Sequence, residues 1–104
     1  MNDSGRKDDT DKLRLDLVPY DVICAIATIL TFGAKKYGDR NWEKGMRWSR
    51  VYAGLQRHLM AWWEGEALDP ETGKSHLWHA GCCLFFLIAY EKRGIGDDDR
   101  PHKE

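Results

Sequence analysis

Between Lys12 and Val18 polar and apolar residues alternate: Lys12, Arg14 and Asp16 fall on one side, Leu13, Leu15 and Leu17 on the other. A period of two describes a strand or an extended arm with one face packed. The chain has no second segment of this kind, so it cannot build a sheet alone; the segment lies across helices or pairs with another subunit. After it the period changes. Pro19 suits a first helical turn, and Asp21 favours a helix N-terminus. Val22, Ile26, Ile29 and Leu30 recur at helical spacing, flanked by Ile23 and Phe32, and predict a helix ending at Gly38. A loop rich in Gly, charge and Trp follows over 38–48. Ser49 is the expected N-cap of a second helix over 50–64, with Gly65 closing it. Asp69-Pro70 and Thr72-Gly73 mark turns in a second loop, 66–75. Ser75 caps a third helix that runs to about Arg93 and stops at Gly94. From Ala80 to Tyr90 this helix is apolar all round, which predicts burial on most sides. Three helices in one chain cannot supply that burial. The pattern therefore predicts an all-α fold: a small helical bundle of about three main helices with an extended N-terminal arm, completed by oligomerisation into a dimer or larger. Residues 1–11 and 95–104 read as disordered tails around a helical domain over 12–94.

Composition narrows the function classes. The 104 residues make one domain. Lys+Arg number 16 against 17 Asp+Glu, a net charge of −1, which argues against a partner that is a nucleic-acid polymer. Mean hydropathy is −0.62, and no apolar run approaches the ~20 residues of a membrane span. The polar start MNDSGRKDDTDK carries no secretory h-region. Cys24, Cys82 and Cys83 sit in apolar stretches without C-x-x-C spacing and are expected to be buried small hydrophobes. A cytoplasmic protein is expected, in the host cytoplasm if the chain is phage-encoded.

The near-zero net charge hides a segregation. Seven basic residues fall between Lys35 and Arg57 (Lys35, Lys36, Arg40, Lys44, Arg47, Arg50 and Arg57), opposed only by Asp39 and Glu43. Between Glu64 and Glu71 stand four acids, Glu64, Glu66, Asp69 and Glu71, and no base. His58, His76 and His79 lie beside this acidic stretch. Carboxylates and imidazoles hold divalent cations, and Arg and Lys hold the phosphate oxygens a cation leaves unneutralised. Two solvated faces of opposite sign are the plain alternative. The histidines count against it. His58 lies within the apolar stripe of Val51, Leu55, Leu59 and Trp62, where a charged imidazole is costly and a neutral one needs a partner. His76 and His79 are three apart on one helical face, and His79 shares a face with Cys83 and Phe86. Folding the two helices as an antiparallel pair brings His58 and His79 within a turn of the same level, with Glu66 and Asp69 in the connecting loop. His58, Glu66, Asp69, His76 and His79 are therefore candidate ligands of a divalent metal. Mixed N/O donors suit Mn²⁺, Fe²⁺, Co²⁺ or Zn²⁺, or Mg²⁺ where oxygens dominate.

Trp62, Trp63 and Trp78 lie in predicted helices, as core or subunit interface. Trp42 and Trp48 lie in the basic loop, where a ring either stacks a base or plugs the end of the bundle. Gly38, Asn41 and Gly45 give that loop a backbone suited to close ligand approach. No P-loop, adjacent His-Asp pair, H-E-x-x-H or G-x-S-x-G occurs.

Three blocks in order, KLRLDLVP (12–19), FGAKKYGDRNWEKGMRWSR (32–50) and RHLMAWWEGEALDPETGKSHLWHA (57–80), resemble the phage-borne dATP/dGTP diphosphohydrolase family, a MazG-like group, over about residues 12–93. The resemblance implies a helical, metal-dependent, oligomeric nucleotide pyrophosphohydrolase with sites at helix-bundle or subunit junctions. Such enzymes cut a nucleoside triphosphate between the α and β phosphates, and a phage would use one to reshape its purine deoxynucleotide pool. MazG-like enzymes usually carry E-E-x-x-E on one helix and E-x-x-D on the next; here Gly54, Leu55 and His58, then His76-x-x-His79, stand where acids would be sought. On this reading the five candidate ligands hold Mg²⁺, Mn²⁺ or another divalent ion, with Glu64 or Glu71 as general base. Lys35, Lys36, Arg40, Arg50 and Arg57 neutralise phosphate charge. Asn41 and Trp42 contact base or sugar. Lys12, Arg14 and Asp16 reach a base edge, in the same or a neighbouring subunit, Asp16 accepting from a guanine. A non-catalytic protein that sequesters a nucleotide signal is the alternative reading.

Overall fold

The computed structural model describes residues 4–104; the first three residues of the polar N-terminal segment lie outside the described residues. Three helices carry the fold: α1 Tyr20–Tyr37, α2 Trp48–Trp63 and α3 His76–Arg93. Among the described residues there is no strand, only two isolated bridges. The third helix is the hub. It packs along α2, against α1, and against a 3-10 turn, Asn41–Lys44, in the first loop.

The boundaries follow local chemistry. At Gly38 (φ 96°) α1 stops, its amide donating to the Ala34 carbonyl. The Ser75 side chain accepts from the Leu77 amide at the start of α3, and Gly94 (φ 66°) terminates that helix, with Lys92 and Arg93 in the last turn where the helix dipole favours cations. The start of α2 departs from expectation. Ser49 is not its N-cap; the helix begins at Trp48 with Arg47 as cap residue. The carboxylate of Asp99 caps it from outside, accepting from the Ser49 amide (2.9 Å) and hydroxyl (2.5 Å). The Trp48 amide donates to the Asp97 carbonyl. Composition alone reads residues 95–99 as tail, yet they form this clamp, and the Trp48 indole also donates to the Ile95 carbonyl. Gly96 makes the clamp possible. Its φ is 80°, and a Cβ there would stand 2.5 Å from the Met46 carbonyl oxygen, which is backbone and cannot step aside. Gly96→Ala is therefore expected to release the clamp and lower stability by about 1–3 kcal/mol, a fall of several degrees in Tm that a thermal melt reads.

The arm does not take the extended geometry that its polar–apolar alternation predicts. Leu15–Leu17 close into one 3-10 turn, and Arg14 pairs with Asp16 through two bonds of 2.8 and 2.7 Å. With no sheet partner to extend it, local hydrogen bonds win. Nor is its apolar side packed: Leu13, Leu15 and Leu17 are 87%, 74% and 69% exposed.

The core is small: Ile26 and Ile29 from α1, Val51 and Leu55 from α2, Ala80, Cys82 and Tyr90 from α3, plus buried His76. The apolar band on α3 is not covered within the chain, since Leu84, Phe85 and Ile88 remain about half exposed. Cys82 is buried and its thiol pushed up to about 12 by desolvation. Cys83 is half-buried, but Cys24, expected inside, is exposed on a face of α1 that no described residue covers. The radius of gyration is 17.3 Å, against about 13 Å for a compact chain of this length. No helix of the described residues is long and apolar enough to cross a membrane.

Candidate functional site

Three histidines meet where α2 and α3 face each other. His58 comes from α2, His76 and His79 from the first turns of α3. The loop between these helices returns its acids to the same place because it is a closed turn. The Asp69 amide donates to the Lys74 carbonyl, and the Asp69 carboxylate accepts from the amides of Glu71 (2.8 Å) and Thr72 (3.2 Å). This is the self-bonded geometry that an Asp-Pro turn favours. The His76 amide then donates to the Ala67 carbonyl, tying the loop to the head of α3.

His58 Nδ1 lies 2.9 Å from His76 Nδ1 and 3.9 Å from an Asp69 oxygen. On the far side His76 Nε2 meets the Glu66 carboxylate at 2.7 Å. The His79 ring stacks on His58 (centroids 4.6 Å, 12° between planes), while its Nε2 pairs with the Thr72 hydroxyl at 2.8 Å. His58, Asp69 and His76 offer ligand atoms that all lie within 4.8 Å of one another.

Electrostatics favours the cation-binding forms of His58, His79 and Asp69. Burial pulls the His58 imidazole below its ordinary 6.5, and the neighbouring His79 and His76 add to this against the opposing pull of Asp69. Burial lowers His79 as well. For Asp69, burial alone would raise the carboxyl; the amides of Thr72 and Glu71, with His79 and His58, outweigh it and hold the group below 3.8. Neutral imidazoles beside an ionised carboxylate are the protonation states in which metal ligands act.

A pH dependence follows for the metal-free protein. Unfolded histidine binds a proton near pH 6.5, whereas folded His58 and His79 do so only lower down. Between those values the unfolded chain holds more protons, so stability falls as pH drops below about 6.5. A second loss follows below about pH 3.8, where unfolded carboxylates protonate before Asp69 does. Tm measured in EDTA should decline from pH 7 to pH 5; a flat profile would contradict the assigned burial of these rings.

The other sequence candidates divide by position. Glu71 belongs to the cluster: its charge acts on His79, and its carboxylate pairs with Lys36 at 2.8 Å across from the end of α1. Lys36 is thereby brought to the site. Arg57 lies on α2 next to His58, close enough to act on it electrostatically. Glu64 caps α2 and is exposed, lining an apolar groove with Leu59, Met60, Trp62 and Trp63. Lys35, Arg40 and Arg50 are exposed, with no ion-pair partner among the described residues. Arg40 is the one described non-glycine residue with positive φ (55°). Asn41 opens the 3-10 turn. Trp42 plugs the bundle. It stacks on Phe86 at 4.6 Å, Arg93 lies over it at 5.8 Å, and its carbonyl accepts the Tyr90 hydroxyl at 2.6 Å. Lys12, Arg14 and Asp16 stand on the exposed arm, and Arg14 holds the Asp16 carboxyl below its usual range. Thr72 is a site residue that sequence reasoning saw only as half of a turn signal; nothing in the pattern ties its hydroxyl to His79.

The α2–α3 pair thus gathers three histidines with the carboxylates of Glu66, Asp69 and Glu71, edged by Lys36 and Arg57. The chain belongs to the family described as dATP/dGTP diphosphohydrolase, N-terminal, whose model matches residues 2–100. It is also 31% identical over 97 residues to a protein of Salmonella phage PMBT28 named dATP/dGTP diphosphohydrolase, an alignment covering 93% of this chain and 33% of the relative. The chain thus spans about a third of the length of the curated relative it matches. No solved structure matches it.

Proposed function

We propose that this chain is a metal-dependent purine dNTP pyrophosphohydrolase, converting dGTP or dATP and water to the monophosphate and pyrophosphate. The observation that carries the reading is the meeting of His58, Asp69 and His76 within 4.8 Å at the junction of α2 and α3, in a chain of the dATP/dGTP diphosphohydrolase family. The donor set fits a divalent ion: two nitrogens 2.9 Å apart are close enough to share one cation, and an ionised oxygen faces them. His58, Asp69 and His76 would hold it, with Glu66 orienting His76 through its other nitrogen. Such an ion supplies Lewis-acid polarisation of the phosphoryl group and a lowered pKa for a bound water.

The remaining work falls to the chain's own groups. Glu71, next to the cluster, is better placed than Glu64 to accept a proton from the water attacking the α phosphorus. The bond from that phosphorus to the bridging oxygen breaks, and pyrophosphate leaves. Lys36 and Arg57, with Lys35, Arg40 and Arg50 further out, neutralise its charge. The left-handed backbone of Arg40 costs a non-glycine residue about 1–2 kcal/mol, and retaining an arginine there fits a side chain with a role. Mg²⁺ or Mn²⁺ is the expected ion. The activity belongs in the cytoplasm with the nucleotide pool. We further propose that the chain works as a homo-oligomer, supported by the open apolar face of α3 and the large radius of gyration.

The test is incubation with each of the four dNTPs and Mn²⁺, Mg²⁺ or EDTA, with products resolved by chromatography. Monophosphate plus pyrophosphate from the purine substrates, abolished by EDTA, is expected. Diphosphate plus orthophosphate would contradict the bond choice. Intact nucleotide under every metal would overturn the enzyme.

A further inference from the structure

Among the apolar surfaces that no described residue covers, two differ in kind. One is the arm over 12–18, whose Leu13, Leu15 and Leu17 all face solvent and whose Val18 is half exposed. The other is concave: a groove of about 430 Å³ at the C-terminal end of α2, lined by Leu59, Met60, Trp62, Trp63 and Glu64. Trp63 is 79% exposed there and Met60 65%. Soluble proteins rarely leave a run of leucines and a tryptophan-lined groove both open to water.

We propose that the Leu13–Val18 arm of one chain docks in the Leu59–Trp63 groove of a second copy, and in doing so sets Lys12 and Arg14 beside that copy's histidine–carboxylate cluster. The inference rests on the self-association proposed above and says where it occurs. Charge matches. Over 12–18 the arm carries Lys12 beside an Arg14 and Asp16 paired with each other, a net positive segment, whereas the groove's rim and the loop beyond it carry Glu64 and Glu66 without a base. Position matches too. Trp62 lies one turn beyond His58 on the same face of α2. Glu66, two residues past the rim, holds His76 at 2.7 Å. An arm seated in the groove therefore ends against the edge of the site, where a cation from the second chain can meet substrate phosphate or base.

The arm gives a clean test because nothing folds around it. Equal amounts of ¹⁴N- and ¹⁵N-labelled full chain, each with a photo-crosslinking amino acid at Leu15, would be mixed, equilibrated and irradiated. Crosslinked peptides would then be read by mass spectrometry beside the mass in solution from light scattering. The expected result is an oligomer whose crosslinks join residue 15 to residues 59–64 in mixed isotopic pairs. Leu15→Asp with Leu17→Asp should shift the mass to a smaller species while leaving the helical circular dichroism unchanged, and Trp63→Glu should do the same from the other side. A monomer by light scattering would overturn the self-association itself. An oligomer whose crosslinks are all within one chain, or lie outside 59–64, would overturn the arm docking and leave self-association standing. Neither readout depends on hydrolysis, so failure of the enzymatic reading is seen separately.

Discussion

Asp69→Asn should lower metal-dependent dGTP hydrolysis by on the order of 10²-fold or more while leaving the metal-free protein folded. The carboxylate has two duties that this substitution separates. As a turn residue it accepts from the amides of Glu71 and Thr72. An asparagine oxygen can still do this, so the change in metal-free stability should stay within about 1 kcal/mol. As the ionised group facing His58 and His76 it supplies the negative charge of the donor set, and an amide cannot. Metal at about a hundred times its Kd stabilises a folded protein by roughly 2.7 kcal/mol, on the order of 10 °C in Tm for a domain of this size. The native chain should show that rise with Mn²⁺, and Asp69→Asn should show little of it. Equal Tm shifts in the two proteins would remove Asp69 from the metal site; equal rates as well would remove the site from the reaction.

The histidine–acid cluster was legible because two signals coincided. His58 sits in an apolar stripe where an imidazole needs a reason, and the spacing to His79 across one short loop brings both to the same level. The stacked rings at 4.6 Å answer to that reasoning. Which partner each ring takes was not legible. His79 turns to Thr72, and His76, expected as a candidate ligand beside His79 on one helical face, becomes the buried member between His58 and Glu66. Hydroxyl and carboxylate partners lie in loop geometry, which periodicity does not encode. The clamp at α2 escaped for a similar reason. An Asp-Asp-Asp run has the composition of a solvated tail, and only tertiary placement shows Asp99 accepting from the amide and hydroxyl of Ser49, the residue expected to be the cap itself. The arm shows the opposite limit. Its alternation of Leu13, Leu15 and Leu17 with Lys12, Arg14 and Asp16 predicts an extended segment with one packed face, but a period of two needs a neighbouring strand to stay extended, and both sides are exposed. Without one the chain closes a turn through Arg14 and Asp16.

The same dependence of loop on helix gives the largest stability effect, at Tyr90. Its ring is wholly buried, the only side chain among the described residues that is 0% exposed. Removing it by Tyr90→Ala takes away a buried aromatic ring and leaves a cavity under the last turn of α3, at a cost of about 3–5 kcal/mol. Against a total stability of roughly 5–15 kcal/mol that is enough to unfold much of the population at 37 °C. Tyr90→Phe asks the finer question. It keeps the ring and removes only the hydroxyl that donates to the Trp42 carbonyl at 2.6 Å, so the cost should be about 1–2 kcal/mol. That bond, with the Trp42–Phe86 stack, fastens the Asn41–Lys44 turn to α3, and the turn carries Arg40 at its head. Losing it should let the cationic loop move without touching the histidine cluster. Urea denaturation should therefore show the graded loss from Phe to Ala. In Tyr90→Phe the KM for dGTP should rise while kcat stays near the native value, because phosphate neutralisation is loosened and the groups beside the scissile bond are not. A fall in kcat at unchanged KM would mean instead that the loop's order is transmitted through α3 to His76 and His79, eleven and more residues up the same helix.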